Sequence, residues 1–167
     1  IAPQCPSNMT WGGLSKNDIK LTSKPTQPMK LVIELIEQLK QRMPIDTNRI
    51  YITGLSMGGY GTYDAMMRYP DLFAAAVPVC GGGDIRRAGD IAHIPMWIFH
   101  GAKDGTVDAQ FSRDMVDALT KAGASPGYTQ YPEAGHFSWI AAYSDPMMIN
   151  WLAVIRPILF LLLLIGE

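Results

Sequence analysis

Short apolar stretches alternate with longer amphipathic stretches along the chain, and this pattern predicts strands that alternate with helices. The amphipathic segment 27–46 repeats its apolar residues at helical spacing until Pro44 ends the pattern. The apolar stretches are too short for helices of ordinary length and are bounded by glycine or polar residues. Strands are predicted within 48–56, 74–83, 94–104 and 127–136, and helices within 27–46, 56–73 and 108–123.

The predicted strands are apolar on both faces, which is typical of a parallel sheet covered by helices on both sides. The expected fold is therefore a three-layer α/β/α domain with a mostly parallel sheet. In such sheets ligands bind where the strands end at their carboxyl termini. Ser56, Asp104 and His136 each follow the end of a predicted strand, so we expect them to meet along one edge.

Ser56 lies in the sequence Gly54-Leu55-Ser56-Met57-Gly58, which matches the pattern G-x-S-x-G. A predicted strand precedes the pattern and a predicted helix follows it, which is the context that a nucleophile elbow requires. The turn is so sharp that side chains at the glycine positions would collide with the neighbouring backbone. Ser56 would then project at the helix N-terminus, where free N–H groups favour a developing oxyanion.

A serine hydroxyl needs a base, and His136 is the best candidate because it lies in a loop after the last predicted strand. His100 ends an apolar strand, where a buried structural role is expected, and His93 is expected at the surface. Asp104 directly follows a strand and gives the chain order Ser, Asp, His that α/β-hydrolases show. Asp108 is the rival acid, and Asp145 is a weaker one.

Composition narrows the functional classes further. The formal net charge of −1 offers no basic surface for nucleic acid, and no nucleic-acid-binding motif is present. The two cysteines and three histidines lack metal-ligand spacing, so we expect neither a structural metal nor a cofactor. The expected partner is a small-molecule ester.

The chain resembles the α/β-hydrolase superfamily, specifically the bacterial esterases often labelled "predicted peptidase". These enzymes are related to prolyl-oligopeptidase-type enzymes, feruloyl esterases and polyhydroxybutyrate depolymerases. The resemblance extends over most of residues 2–152 and rests on "APQCP", "RIYITGLSMGGYGTYDAMMRYPDLFAAAVPVCGGGD", "IPMWIFHGAKDGTVD" and "YPEAGHFSW".

The resemblance implies a serine hydrolase that cleaves carboxylic esters through an acyl-enzyme. Ser56 would be the nucleophile, Asp104 the acid and His136 the base, while the backbone N–H of Met57 would serve the oxyanion hole. Trp139 would either line the substrate pocket or pack in the core. A serine peptidase of prolyl-oligopeptidase type, and a catalytically incomplete fragment or binding module, are the alternatives.

Three features depart from the family. Phe137 stands where relatives often have a polar residue, and Gly105 where they often have proline. Nothing in residues 1–48 matches the loop with an HG-type motif that gives relatives their second oxyanion donor. The chain is therefore expected to be the C-terminal portion of a longer hydrolase. A secreted or periplasmic location of the full-length parent stays open, and the sequence does not indicate the oligomeric state.

The expected division is a partial catalytic domain at 1–152 and an apolar tail at 153–167. The uninterrupted apolar run of the tail, 158–165, is far shorter than the roughly 20 residues that cross a bilayer. The pattern favours a terminal helix packed on the sheet, or a run-on end, over a membrane anchor. By the family's strand order, Cys5 and Cys80 lie too far apart for a disulfide.

Overall fold

A computed structural model describes residues 1–12 and 19–155, together with the backbone of residues 161–165. In this part of the chain the strands are parallel and form one sheet in the order β4-β3-β2-β1-β5. The strands are β1 (Ile50–Leu55), β2 (Ala75–Val79), β3 (Trp97–Gly101), β4 (Gly127–Tyr131) and β5 (Leu161–Ile165). The helices are α1 (Gln27–Arg42), α2 (Met57–Arg68), α3 (Gln110–Lys121), α4 (Trp139–Ser144) and α5 (Pro146–Ile155).

The two faces of the sheet contribute to separate cores, because successive side chains of a strand point to opposite sides. Ile50 and Ile52 of β1 pack in the core that also holds buried residues of α1, α2 and α3. Tyr51 lies between them in sequence and belongs to the opposite core, with Met148 and Leu152 of α5. The predicted three-layer α/β/α fold is thus confirmed.

The N-terminal loop reaches α2 through Trp11, which is almost fully buried. A Cβ on Gly61 would lie 2.6 Å from the Cβ of Trp11, so the small residue at this helix position admits the loop. Residues 6–12 and 19–26 contain no helix or strand. Cys5 and Cys80 are both buried, and no disulfide joins them.

The apolar tail differs from its prediction. Residues 161–165 form strand β5, which pairs in parallel with β1, where a terminal helix or a run-on end was expected. The physical reason is that β1 would otherwise end the sheet with a row of unpaired backbone groups. None of the described helices has the length and apolar character needed to cross a membrane.

Candidate active site

Ser56 occupies a strained turn between β1 and α2. Its backbone has φ 53° and ψ −116°, and Cys80, after β2, also has a positive φ of 41°. Residues other than glycine rarely adopt such angles, and their strain clusters at functional sites. The turn is held in place by the Ser56 N–H, which donates to the carbonyl of Val79 (3.1 Å) and lies 3.3 Å from Cys80 Sγ.

Glycines make this turn possible. A Cβ on Gly54 would lie 2.3 Å from the carbonyl oxygen of Gly58, and one on Gly59 would lie 2.5 Å from the carbonyl oxygen of Val79. Both contacts are with backbone atoms, which cannot rotate away as a side chain can. Gly54 and Gly59 therefore allow β1, α2 and β2 to approach one another beneath Ser56.

The hydroxyl of Ser56 is directed at His136 and does not cap α2. A serine at the N-cap usually accepts a hydrogen bond from the first turn of the helix, but Ser56 makes no such bond. Its Oγ lies 2.8 Å from His136 Nε2. On the other side of the ring, Nδ1 lies 2.8 Å from Asp104 Oδ2. A carboxylate can only accept, so Nδ1 carries the hydrogen and Nε2 is free to accept from Ser56.

Asp104 is held ionised in a buried position. Burial opposes its ionisation, but hydrogen bonds from His136 and from the backbone N–H groups of Val107 and Thr106 outweigh burial and lower the pKa of the carboxyl. Both N–H groups donate to Oδ1 at 2.9 Å. This arrangement suits a carboxylate that orients an imidazole and stabilises its charged form.

Of the other candidate acids and bases, three have partners outside the path from Ser56 through His136 to Asp104. Asp108 accepts a hydrogen bond from the backbone of Gln110 at the start of α3, and Asp145 accepts one from Met147. His93 is exposed and contacts the carbonyl of Pro70. His100 is fully buried, as predicted, but it also contacts Asp104.

A cavity of about 260 Å³ opens beside the Ser56 hydroxyl, between the start of α2 and the loop after β3. Met57 is the first residue of α2, a position whose N–H has no partner within the helix. Tyr60 faces the same cavity, and burial, helped by Asp104 and Cys80, raises the pKa of its phenol to about 12. The cavity is lined by Thr10, Gly12, Ser56, Met57, Tyr60, Thr106 and Val107.

Trp139 packs beside His136. Its ring centroid lies 5.2 Å from that of His136 in an edge-on arrangement and 4.8 Å from that of Phe137. Trp139 is not among the residues that line the cavity. Phe137 is 70% exposed, so the pair presents an aromatic surface next to the histidine.

One group of side chains has the composition of a metal site. Cys80 Sγ, a carboxylate oxygen of Asp104 and a ring nitrogen of His136 lie within 4.8 Å of one another. However, Oδ1 of Asp104 accepts two backbone hydrogen bonds and Oδ2 accepts one from His136. A metal ion would have to displace these bonds, so the geometry favours proton transfer over metal binding.

Sequence reasoning missed several residues of this site. The cavity-lining residues Thr10, Gly12 and Tyr60 carried no motif that set them apart. The contact of His100 with Asp104 was missed as well, although His100 lies four positions before the acid in the stretch "HGAKD". That spacing was the available signal, because it places both side chains at the end of the same strand.

Comparison with known proteins agrees with the fold and the motif. Residues 21–97 match the model of the prolyl oligopeptidase family. A solved structure described as a thermostable esterase is 44% identical with a TM-score of 0.82, over 90% of this chain and 42% of that one. Together these matches support an α/β-hydrolase fold and a similarity to the group that contains esterases and prolyl-oligopeptidase-type peptidases.

Two curated relatives are also similar. A bifunctional acetylxylan esterase/xylanase of Neocallimastix patriciarum is 34% identical over 125 residues, which is 72% of this chain and 18% of that protein. Poly(3-hydroxyalkanoate) depolymerase C of Paucimonas lemoignei is 41% identical over 49 residues, 29% of this chain and 12% of that protein. The chain thus spans less than a fifth of the length of each curated relative.

Proposed function

We propose that this chain carries the catalytic centre of a serine esterase, with Ser56 as nucleophile, His136 as general base and Asp104 as the orienting acid. The observation that carries the proposal is the hydrogen-bonded path from Ser56 Oγ through the His136 ring to Asp104 Oδ2, with 2.8 Å at each step. Nucleophile, base and orienting group thus stand in the order that covalent hydrolysis requires.

The proposed reaction begins when Ser56 Oγ attacks the ester carbonyl carbon while His136 Nε2 takes the hydroxyl proton. The resulting oxyanion is held by the N–H of Met57 at the start of α2. When the tetrahedral intermediate collapses, His136 returns the proton to the leaving alcohol and the acyl group stays on Ser56. Water then adds to the acyl carbon as His136 takes its proton, and collapse releases the acid and restores the Ser56 hydroxyl.

The cavity supports a small acyl group. About 260 Å³ beside Ser56, walled by Tyr60 and Val107, lies just below the roughly 300–1,000 Å³ that small-molecule sites show. We expect acetate and butyrate esters to be cleaved faster than octanoate esters. The similarity to a bifunctional acetylxylan esterase/xylanase and to a thermostable esterase supports ester substrates.

A p-nitrophenyl ester series tests this proposal. The native chain should hydrolyse the acetate and butyrate, and Ser56→Ala should abolish the activity. Ser138→Ala is the matched control, because Ser138 is two residues from His136 and its buried hydroxyl has no hydrogen-bond partner in the described part of the chain. Hydrolysis that persists in Ser56→Ala, or a folded native chain without hydrolysis, would refute the proposal.

A peptidase is the second candidate, and the match to the prolyl oligopeptidase family favours it. Acyl p-nitroanilides with the same acyl groups separate the two activities, since they replace the alcohol leaving group with an amine. We expect the native chain to cleave the esters and leave the anilides intact. Comparable rates on both would replace the esterase proposal with a peptidase.

A further inference from the structure

A second histidine contacts the carboxylate that orients His136. His100 lies near the end of β3, with none of its surface exposed. Its Nε2 is 3.3 Å from Asp104 Oδ2, the same oxygen that accepts the hydrogen bond from His136 Nδ1 at 2.8 Å. The carboxylate therefore lies between two imidazole rings.

The surroundings of His100 determine where its hydrogen lies. Nε2 is also 3.0 Å from the carbonyl oxygen of Val107, and both of its neighbours are acceptors, so Nε2 must carry a hydrogen. Nδ1 is 2.7 Å from Ser112 Oγ on α3. Ser112 Oγ also lies 3.2 Å from the Gly81 carbonyl oxygen. Burial lowers the pKa of His100, which favours the neutral ring, and in that form the single Ser112 hydroxyl hydrogen goes to Nδ1 and not to the Gly81 carbonyl.

The same contacts hold the loop 104–107, which carries the acid. The Val107 N–H donates to Asp104 Oδ1, while the Val107 carbonyl accepts from His100. The carboxylate and its loop are thus fixed from both sides, by the backbone of 106–107 and by a ring held rigidly against Ser112. Without His100, the position of Asp104 would depend on the exposed loop and on His136 alone.

We propose that His100 is a positioning residue for the reaction proposed above: its Nε2–H donates to the Val107 carbonyl, which fixes the loop of Asp104, and lies against the carboxylate oxygen that faces His136. The inference rests on the proposed function, since it concerns the acid of that site. The partly positive Nε2–H, 3.3 Å from Oδ2, draws on the charge of that oxygen and so weakens its hydrogen bond from His136. Removing this N–H should therefore strengthen the bond from His136 and loosen the loop.

The other titratable groups around the Asp104 carboxylate do not obscure the effect of His100 on the hydrogen bond between Asp104 and His136. Tyr60 faces it from α2, and the pKa of its phenol, raised to about 12, keeps it neutral at acid pH. Cys80 approaches from the end of β2. Lys103, beside Asp104 in the chain, forms an exposed ion pair with Glu133.

Two amide substitutions separate positioning from mere filling of space. In His100→Gln the amide nitrogen reaches the place of Nε2 and can still donate to the Val107 carbonyl beside Asp104. In His100→Asn the shorter amide reaches the place of Nδ1, which keeps the contact with Ser112 and loses the N–H between Val107 and Asp104. The two variants have equal charge and similar polarity, so they form a matched pair.

The first readout is the NMR proton resonance of His136 Nδ1–H, which needs no turnover. His100→Asn should move this resonance downfield, and His100→Gln should keep it near its native position. In ester hydrolysis, His100→Asn should lower kcat/KM about ten-fold and raise the acid-side midpoint of its pH profile by roughly 0.5 pH unit. His100→Gln should recover most of both.

An Nδ1–H resonance that is the same in the native protein and both variants would overturn the inference, even if hydrolysis is normal. A native protein without hydrolysis that still shows the expected resonance pattern would support the contact and refute the esterase proposal alone. Should His100→Asn fail to fold, Ser112→Ala carries the test, because it frees the His100 ring without altering Asp104. It should give a smaller downfield shift, and an unchanged resonance would contradict the inference.

Discussion

A Cβ atom on Gly54 would lie 2.3 Å from the carbonyl oxygen of Gly58, across the turn that carries the candidate nucleophile. Because that oxygen belongs to the backbone of α2, relief of the clash would require the helix start to move away from β1. The position of Ser56 therefore depends directly on the missing side chain at Gly54.

Gly54→Ala should destabilise the protein by about 3 kcal/mol or more, since the overpacked atom meets backbone. Urea unfolding followed by circular dichroism measures the loss. Gly89→Ala is the matched control, because a Cβ there meets no atom within 4 Å, and it should change the free energy of unfolding by less than about 0.5 kcal/mol. Equal effects of the two substitutions on the free energy of unfolding would show that the close approach at Gly54 does not limit stability.

Asp104→Asn should lower kcat for ester hydrolysis by about 10⁴-fold while the protein stays folded, because an amide allows the wrong tautomer of His136. Asp108→Asn is the control, as Asp108 contacts the backbone of Gln110 and lies away from the histidine. Steady-state kinetics with a short-chain ester measure both. A large loss in the Asp108 variant, or none in the Asp104 variant, would reassign the acid.

Acid should destabilise the folded protein in two stages. Burial lowers the pKa of His100 below its ordinary 6.5, and hydrogen bonds lower that of Asp104 below 3.8 despite its burial. The unfolded chain therefore binds more protons as the pH falls. The stabilising contribution of each group is complete above its unfolded pKa and is lost as the pH falls through its folded pKa.

The melting temperature should consequently fall between about pH 7 and pH 5, in the range where His100 contributes. His100→Gln cannot titrate and should show a shallower slope over that range, whatever its starting stability. Differential scanning calorimetry at several pH values compares the slopes. A slope as steep in the variant as in the native protein would mean that His100 titrates alike in the folded and unfolded states.

Asp64 and Arg68 form a two-bond ion pair on α2, with Nε–Oδ1 at 2.6 Å and Nη2–Oδ2 at 3.1 Å. The Asp64 side chain is completely buried beneath Gly12, a residue that lines the cavity. Asp64→Ala should cost about 3 kcal/mol, because it leaves the guanidinium near the interior without its partner. Glu37→Ala breaks an exposed pair with Lys40 and should cost less than about 0.5 kcal/mol in the same urea titration.

Much of the fold was predictable because local pattern and tertiary packing agree. The strands β1 to β4 and the helices α1 to α3 fall within the predicted segments, and the alternation of Ile50, Tyr51 and Ile52 between two cores follows from a sheet covered on both sides. The tail was not predictable in this way. A run of leucines suits a helix or a buried strand equally well, and its pairing with β1 decides between them.

The candidate site, like the fold, was predictable only in part. Ser56, Asp104 and His136 could be named because a turn motif and the ends of strands mark them in sequence. The second contact of Asp104, with His100, was not predicted, because the spacing in "HGAKD" does not by itself show how closely the two side chains approach. The cavity wall formed by Thr10 and Tyr60 likewise arises from packing of a loop on α2.

The most direct test of the central claim is labelling with a fluorophosphonate, read by intact mass and peptide mapping. The folded native chain should gain one adduct on Ser56, and Ser56→Ala and His136→Ala should gain none, while Ser138→Ala labels normally. One adduct at Ser56 that depends on His136 would show that nucleophile and base act together. A folded native chain that stays unlabelled, or an adduct on another serine, would contradict the account.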